Sequence, residues 1–448
     1  MHKATSWFGW WREAPDDARR ALWAAALGWM LDAFDVMLYA LVLTAVMRDL
    51  ELTKATAGLI GSVTLIAGAV GGIAFGLIAD RHGRTRALMG SILMYSVFTA
   101  LCGLSQTGLQ LALFRIGLGL GMGGEWASGA ALVAETWPDE HRGKALGLMQ
   151  SAWAIGYALA AIVTSIVLPL WGWRAVFFVG VLPAIFTVWI RRAVREPALW
   201  RESVQRAATR AQAAGPDGRT GEADGVVVVA GAGSTSAGVG AALAAVVADG
   251  RLGLTVALAL MNACCLFAWW GFNSWIPAYL SLPSTQGGMG LDARTMSWLV
   301  VFMQVGMWFG YVTFGAVADA FGRKRTYVIY LLMASLLLGL YAQVRSPTLL
   351  LLLGPFVAFF GTGYFTGFGI VTAESYPTAI RATAQGLTYN TGRLASAAAP
   401  FVVGSLADQR GFTAAFSVVA AAFLVAAAWW VVIPETRGRS VRPVQTPL

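Results

Sequence analysis

Charge is what this sequence has least of. Charged residues fill 12% of the 448 positions and apolar residues 57%, whereas a soluble chain uses roughly a quarter of its residues, charged, to cover its surface. That shortage excludes an ordinary soluble globular protein. Cysteine is scarce as well. Cys102, Cys264 and Cys265 all lie within apolar runs, which offers neither a disulfide framework nor metal-ligand spacing. The only histidines, His2, His82 and His141, fall outside those runs, so a proton relay inside a membrane would have to use carboxylates. There is no HExxH pattern and no nucleophile–base pair at a usable spacing. An intramembrane enzyme is therefore disfavoured, and no metal or cofactor is expected, only a proton as coupling ion. Nor is a cleavable leader evident, because the first apolar run is too long for a signal core and carries two aspartates.

What is present is a series of long apolar runs of roughly 20 residues, each enough to cross ~30 Å of hydrocarbon as a helix. Mean hydropathy is +0.65. Runs fall near residues 21–47, 56–79, 87–105, 109–134, 145–169 and 174–190, then near 253–281, 295–318, 326–344, 348–373, 383–407 and 412–433. The expected fold is all-α and integral to the membrane, with twelve transmembrane helices in two pseudo-symmetric six-helix bundles. The basic residues orient it. The loops on the side of both termini hold 24 Lys and Arg, the opposite loops hold 6, and Arg115 and Arg393 lie within spans. Positive loops stay inside, so both termini are expected in the cytoplasm. The net charge of +9 is thereby explained by topology, and no nucleic-acid partner is expected.

An internal repeat supports the same division. A shift of 239 residues places Gly76, Asp80, Gly83, Arg84 and Arg86 on Gly315, Asp319, Gly322, Arg323 and Arg325. It also places Glu135, Pro138, Arg142 and Gly147 on Glu374, Pro377, Arg381 and Gly386, and Gly172 on Gly411. Residues 1–190 are expected to form the N-terminal bundle, 191–252 a cytoplasmic linker, and 253–448 the C-terminal bundle with a short tail. Parallel repeats of this kind are a transporter architecture. Within the linker, VVVVAGAGSTSAG (Val226 to Gly238) resembles a strand and dinucleotide loop, but no complete βαβ unit fits there. A thirteenth span over Gly225 to Ala248 would break the symmetry, although part of that stretch suits a surface-lying helix.

Two sets of residues carry the functional reading. GLIADRHGRTR (Gly76 to Arg86) and GAVADAFGRKR (Gly315 to Arg325) join spans by tight basic turns. There Asp80 and Asp319 could pair with Arg84, Arg323 or other arginines across the interface between halves, with Glu135, Arg142, Glu374 and Arg381 in the matching later loops. Such pairs could lock one conformation and release in another; the bland alternative is a topogenic loop with no gating role. The second set lies inside spans, where each ionisable residue costs several kcal/mol. Asp32 and Asp35 share a helical face, ~17–21 Å from the cytoplasmic end of span one. Two such carboxyls suit the loading and release of a proton; alternatively they form a static pair with Arg115. In span four Arg115 is expected near the depth of Asp35, and Glu125 near that of Asp32 as a third proton-site member or a neutral packing group. In span eleven Arg393 shares a face with Asn390, beside Tyr389, and no acidic residue lies at mid-span in that half. Its planar fork is suited to a substrate carboxylate. Gln150, Trp270, Asn273, Gln304 and Tyr364 are further polar or aromatic candidates for the cavity wall.

The doubled basic loops and the Glu–Pro–Arg loops resemble the signature of the major facilitator superfamily over nearly the whole chain. DAFDVMLYALVL and WGWRAVFFVGVLPAIF (Trp171 to Phe186) are similar to bacterial sialic acid/proton symporters, and the paired aspartates to aromatic acid/proton symporters, which have Gly where this chain has Ala33. The resemblance implies a bacterial inner-membrane, proton-coupled importer of a small organic anion, working by alternating access and as a monomer. The rival expectations are proton-driven efflux of drugs or metabolites, uptake of a neutral or zwitterionic osmolyte or sugar, and a membrane sensor. Arg393 weighs against efflux, and the lack of an attached soluble domain against a sensor.

Overall fold

The computed structural model describes residues 14–193 and 250–437 except 378–379, together with residues 11, 246 and 248. Most of the expected linker and both chain ends lie outside the described residues. Helices and turns make up all of the described chain; no strand occurs in it. Eight helices there are long and apolar enough to cross a membrane, and two of them, Lys144–Ile190 and Thr383–Trp429, run for 47 residues. At 1.5 Å per residue that is about 70 Å, twice a bilayer core. Each is two spans joined at a glycine.

Those glycines are Gly172 (φ 76, ψ 178) and Gly411 (φ 79, ψ 168). This backbone region is open essentially to glycine alone, and it reverses the chain without a loop. Gly83 (φ 111, ψ 149) and Gly322 (φ 98, ψ 152) do the same between spans two and three and between eight and nine. Both pairs obey the shift of the sequence repeat, so the duplication is written into the backbone as well as the side chains. Spans one to four are Asp16–Asp49, Lys54–His82, Arg84–Gly103 and Gly108–Thr136. Side-chain caps start several of them: Thr53 Oγ1 accepts from Thr56 N at 3.1 Å and Thr107 Oγ1 from Gln110 N at 3.2 Å. Spans seven to nine are Leu252–Ser281, Ala293–Phe321 and Arg323–Tyr341. Span ten is broken into Pro347–Thr362 and Phe365–Ser375, and span eleven opens as Arg381–Ser396 before continuing to Gly411. The result is twelve transmembrane helices in two six-helix bundles.

Outward faces are apolar at helical spacing. On span two, Ile66, Val70, Ile73 and Leu77 are all exposed, which suits lipid and would be a liability in water. Inward, span two packs against spans four and eleven, and span five against spans one and eight. The two bundles therefore meet through symmetry-related pairs, two with eleven and eight with five.

At the face away from the basic loops the bundles are tied together. Asp408, at the end of span eleven, accepts from Ala55 N at 2.8 Å and lies 3.5 Å from Lys54 Nζ, so one bundle caps a helix of the other. Thr44 and Ser281 hydroxyls meet at 2.7 Å, and Phe401 N donates to Ser62 Oγ at 3.2 Å. Gly58 allows the closest approach, since a Cβ there would stand 2.3 Å from Pro400 O.

A paired substitution tests the turn glycines. A Cβ at Gly411 or at helical Gly339 would meet nothing within 4 Å, so any difference is backbone alone. Gly411→Ala is expected to destabilise by about 1–3 kcal/mol, and Gly339→Ala to stabilise by about 0.5–1 kcal/mol, as read by thermal unfolding in detergent.

Candidate functional site

The mid-membrane site is assembled where glycines let helices close on carboxyl groups. Asp32, Asp35 and Glu125 are all fully buried. Gly28, one turn before Asp32, is overlain by Glu125: a Cβ there would stand 2.5 Å from Glu125 Oε1. Gly180 in span six does the same for Asp35, whose Oδ1 would be 2.9 Å from the added Cβ. Thr99 Oγ1 donates to Asp35 Oδ2 at 3.2 Å. The other five carboxyl oxygens, both of Asp32, both of Glu125 and Oδ1 of Asp35, have no hydrogen-bond partner among the described residues. The equally unpartnered Tyr95 hydroxyl lies among them, in the field of all three carboxyls.

Two arginines flank this cluster and neither forms an ion pair among the described residues. Arg115 Nε donates to Thr64 Oγ1 at 3.2 Å, its guanidinium stands 4.3 Å from the Tyr39 ring centroid, and its Nη1 has no partner. It borders a small cavity with Tyr39, Thr64, Trp270, Ser274 and Pro400, between the bundles and toward the tied face. Arg393 is 8% exposed and abuts span two, its Nη2 3.2 Å from where a Gly68 Cβ would be. Asp32 lies within its field.

The expected depths need correction. Arg115 meets Tyr39, one turn beyond Asp35, and Glu125 meets Gly28, one turn before Asp32. The reason is the helical rise: Arg115 and Glu125 are separated by about 15 Å along span four, the two aspartates by only about 4.5 Å along span one. Both matches cannot hold at once. The static pairing of the aspartates with Arg115 is likewise not found.

Among the other candidates, Gln304 is buried, its Oε1 unpartnered among the described residues, and Gln150 lies near the Tyr311 hydroxyl of the other bundle. Tyr389 lies half-buried, 6.1 Å from the Phe368 ring. Three spend their polar groups on backbone: Asn273 Nδ2 on Trp269 O at 3.0 Å, Tyr364 OH on Cys265 O at 3.1 Å, and exposed Asn390 Nδ2 on Gly386 O at 2.9 Å. Trp270 belongs to a cluster that sequence reasoning missed, with Trp29, Trp153 and Trp269 around it. Trp153 centroids stand 4.7 Å from Trp29, 5.6 Å from Trp269 and 6.2 Å from Trp270. A usable signal existed, because Trp29 is three residues before Asp32 and Trp153 three after Gln150, each on the same helical face.

The basic turns also repeat in three dimensions. Arg84 reaches Glu135 at 2.9 Å, and Arg323 reaches Glu374 at 2.9 Å, a pair of contacts related by the same shift as the sequence. A model of the Major Facilitator Superfamily matches residues 25–291 and again 258–447. The chain belongs to the major facilitator superfamily. A probable 4-methylmuconolactone transporter of Cupriavidus pinatubonensis is 31% identical over 98% of this chain and 95% of its own. A cis,cis-muconate transport protein of Acinetobacter baylyi is 32% identical over 90% of each. The inward-open structure of the Escherichia coli xylose transporter XylE superposes with a TM-score of 0.71 at 18% identity, covering 95% of this chain and 98% of that one. This facilitator is accordingly a multi-pass membrane transport protein.

In this major facilitator protein Glu135, Asp319 and Glu374 pair with arginines of their own halves, whereas pairing across the interface had been expected for Asp319. Arg323 holds both Asp319 and Glu374, and Thr436 adds a 2.6 Å hydrogen bond to Glu374. Arg381 is half-buried at the start of span eleven, while the side chains of Asp80 and Arg142 lie outside the described ones. Glu435 completes the second turn by accepting from Arg323 N at 2.9 Å and Lys324 N at 3.1 Å, at the head of span nine. Burial works to raise its pKa, but the backbone N–H groups of Arg437, Arg323, Lys324 and Thr436 outweigh it and hold the carboxyl below the usual glutamate range. A folded-state pKa lowered in this way stabilises above the unfolded value and loses its effect as pH falls through the lowered one. Glu435→Gln is therefore expected to destabilise at pH 7 by a few tenths of a kcal/mol up to about 1 kcal/mol. The gap from wild type should close below about pH 4, as followed by thermal unfolding across pH.

Proposed function

We propose that this facilitator imports a small organic carboxylate together with a proton, by rocking its two bundles about the mid-membrane site. The observation that carries the reading is the unpaired state of the five charges at its centre. Three buried carboxyls with no ion pair among the described residues are tolerated in closed hydrocarbon surroundings as acids, since an ionised carboxylate is far more costly to bury. Two buried arginines that feel these carboxyls only at a distance are in the complementary position, and cannot shed their charge. Such a cluster suits protons on its carboxyls and an anion against its arginines. That is the pattern a proton–carboxylate symporter needs.

The basic loops orient the chain with both termini in the cytoplasm. The face tied by Asp408, Lys54, Thr44 and Ser281 is then the outer one, and it is closed. In the outward-facing state Asp32, Asp35 and Glu125 load protons and Arg393 takes the cargo carboxylate. Closure at Gly58 and Pro400 then turns the loaded site inward. One proton with one monoanion moves no net charge, so the membrane potential of ~2.3 kcal/mol per charge per 100 mV does not enter. The driving force is the proton gradient, ~1.4 kcal/mol per pH unit. One chain contains the whole site, which supports action as a monomer, and its basic residues serve topology and not nucleic acid. The muconate carrier among the relatives supports a carboxylate cargo, and the paired arginines weigh against a lipophilic drug or neutral solute.

In proteoliposomes with an inward proton gradient, Asp32→Asn with Asp35→Asn should abolish gradient-driven accumulation while leaving carboxylate counterflow measurable. Arg393→Ala should raise the KM at least tenfold, the loss of one charge-assisted contact. Accumulation indifferent to the gradient, or a KM indifferent to Arg393, would refute the reading.

A further inference from the structure

The proton site and the arginines leave the tryptophan cluster unexplained. Indole nitrogen is a donor only, and buried indoles ordinarily find an acceptor. The framework tryptophans obey: Trp137 donates to Ala18 O at 2.8 Å, Trp173 to Asp49 Oδ2 at 3.1 Å and Trp275 to Pro400 O at 2.8 Å. Trp29, Trp153 and Trp269 do not. They are 7%, 3% and 4% exposed, and each Nε1 lacks a partner. Trp430 shares that lack but sits apart, against the Tyr327 ring at 4.6 Å. The three rings, whose N–H groups have no acceptor among the described residues, instead gather at one place, where spans one and five of the first bundle meet span seven of the second. An edge-to-face contact of 5.6 Å between Trp153 and Trp269 crosses the interface that must part during transport.

The cluster is continuous with both ends of the site. Trp29 shares the face of span one with Asp32. From Arg393, an aromatic wall runs through Tyr389, one turn earlier, to Phe368 at 6.1 Å, Phe365 at 5.2 Å and Trp269 at 5.8 Å. A chain of ring contacts thus joins Arg393 to indoles whose N–H groups have no acceptor among the described residues.

We infer that Trp29, Trp153 and Trp269 form a second cargo subsite, which grips a flat conjugated body between indole faces and donates to an oxygen acceptor remote from the carboxylate held by Arg393. The cargo is then a two-headed unsaturated or aromatic acid, with a carboxylate at one end and a carboxyl, ester, lactone or oxo oxygen at the other. Because indole contributes no charge, the distal head needs acceptor oxygen and not an anion. An ammonium or other pure donor in that position is rejected. The inference rests on the carboxylate reading above.

The test is equilibrium binding to the purified full-length protein with three mono-anions. Monomethyl trans,trans-muconate has the acceptor oxygen, sorbate has the same diene ending in a methyl group, and monomethyl adipate has the oxygen on a saturated chain. The muconate ester should bind at least tenfold more tightly than either of the others. Trp153→Phe and Trp269→Phe keep a ring and remove the N–H. Each should weaken the ester about tenfold, as for one lost hydrogen bond, and leave sorbate within twofold. Equal affinity of the ester and sorbate for wild type, or parallel losses of both in the variants, would overturn the subsite and make the cluster mere packing. Arg393→Lys separates the two readings: it should weaken all three acids together. If it leaves them unchanged, or none of them binds, the carboxylate reading itself fails and this one with it.

Discussion

The whole arrangement answers to one constraint, the expense of keeping a charged group away from water in hydrocarbon. Along twelve spans the chain all but eliminates such groups, then gathers three carboxyls and two arginines at the level where the bundles meet. They are not spent on one another. Asp32 and Glu125 share no hydrogen bond, Arg115 rests on Thr64 and the Tyr39 ring, and Arg393 leans on span two. Static ion pairs would be the cheaper solution if these residues only held the fold together. In the proposed cycle their separation leaves each sign to be answered by something that moves, a proton for the carboxyls and an anion for the arginines.

The rest of the fold serves that centre by making the two bundles distinct bodies with a narrow set of contacts. Glycine supplies the precision. Gly28 and Gly180 bring carboxyls to helix backbones, Gly58 lets the outer ends touch, and Gly172 and Gly411 reverse the chain with no loop to spare. Ties such as Asp408 to the head of span two are polar, of the kind that can be exchanged for water when the outer face opens. On the basic face, Arg84 with Glu135 and Arg323 with Glu374 stiffen each bundle internally. Rigid halves and a weak seam are the mechanical requirements of alternating access.

Much of this was legible in the residues. Apolar run lengths report the spans, the 239-residue repeat reports the duplication, and Asp32, Asp35, Glu125, Arg115 and Arg393 stand out because they break an apolar pattern. What stayed hidden depends on how separate helices cross. Rise along each helix already shows that Arg115 and Glu125 cannot both match the aspartates in depth, but that they meet Tyr39 and Gly28 instead is set by how the helices cross. Partner choice is equally a crossing property, which is why Asp319 is found with Arg323 of its own bundle and not across the seam. The broken span ten and the tryptophan cluster were obscured differently: tryptophan is common enough in membrane spans that no single one announces itself. Only the shared lack of acceptors at Trp29, Trp153 and Trp269 sets them apart.

The central claim, that the buried carboxyls exchange protons with solvent as cargo comes and goes, is open to direct measurement. Purified protein in weakly buffered detergent solution, followed with a pH-indicator dye, should take up about one proton for each carboxylate anion bound once the pH is high enough to ionise the site when it opens to water, because an anion brought beside these carboxyls favours their acid forms. The cargo's affinity should fall correspondingly as pH rises. Binding of the same acid with no proton exchange at any pH, or with an affinity flat across pH, would contradict the account.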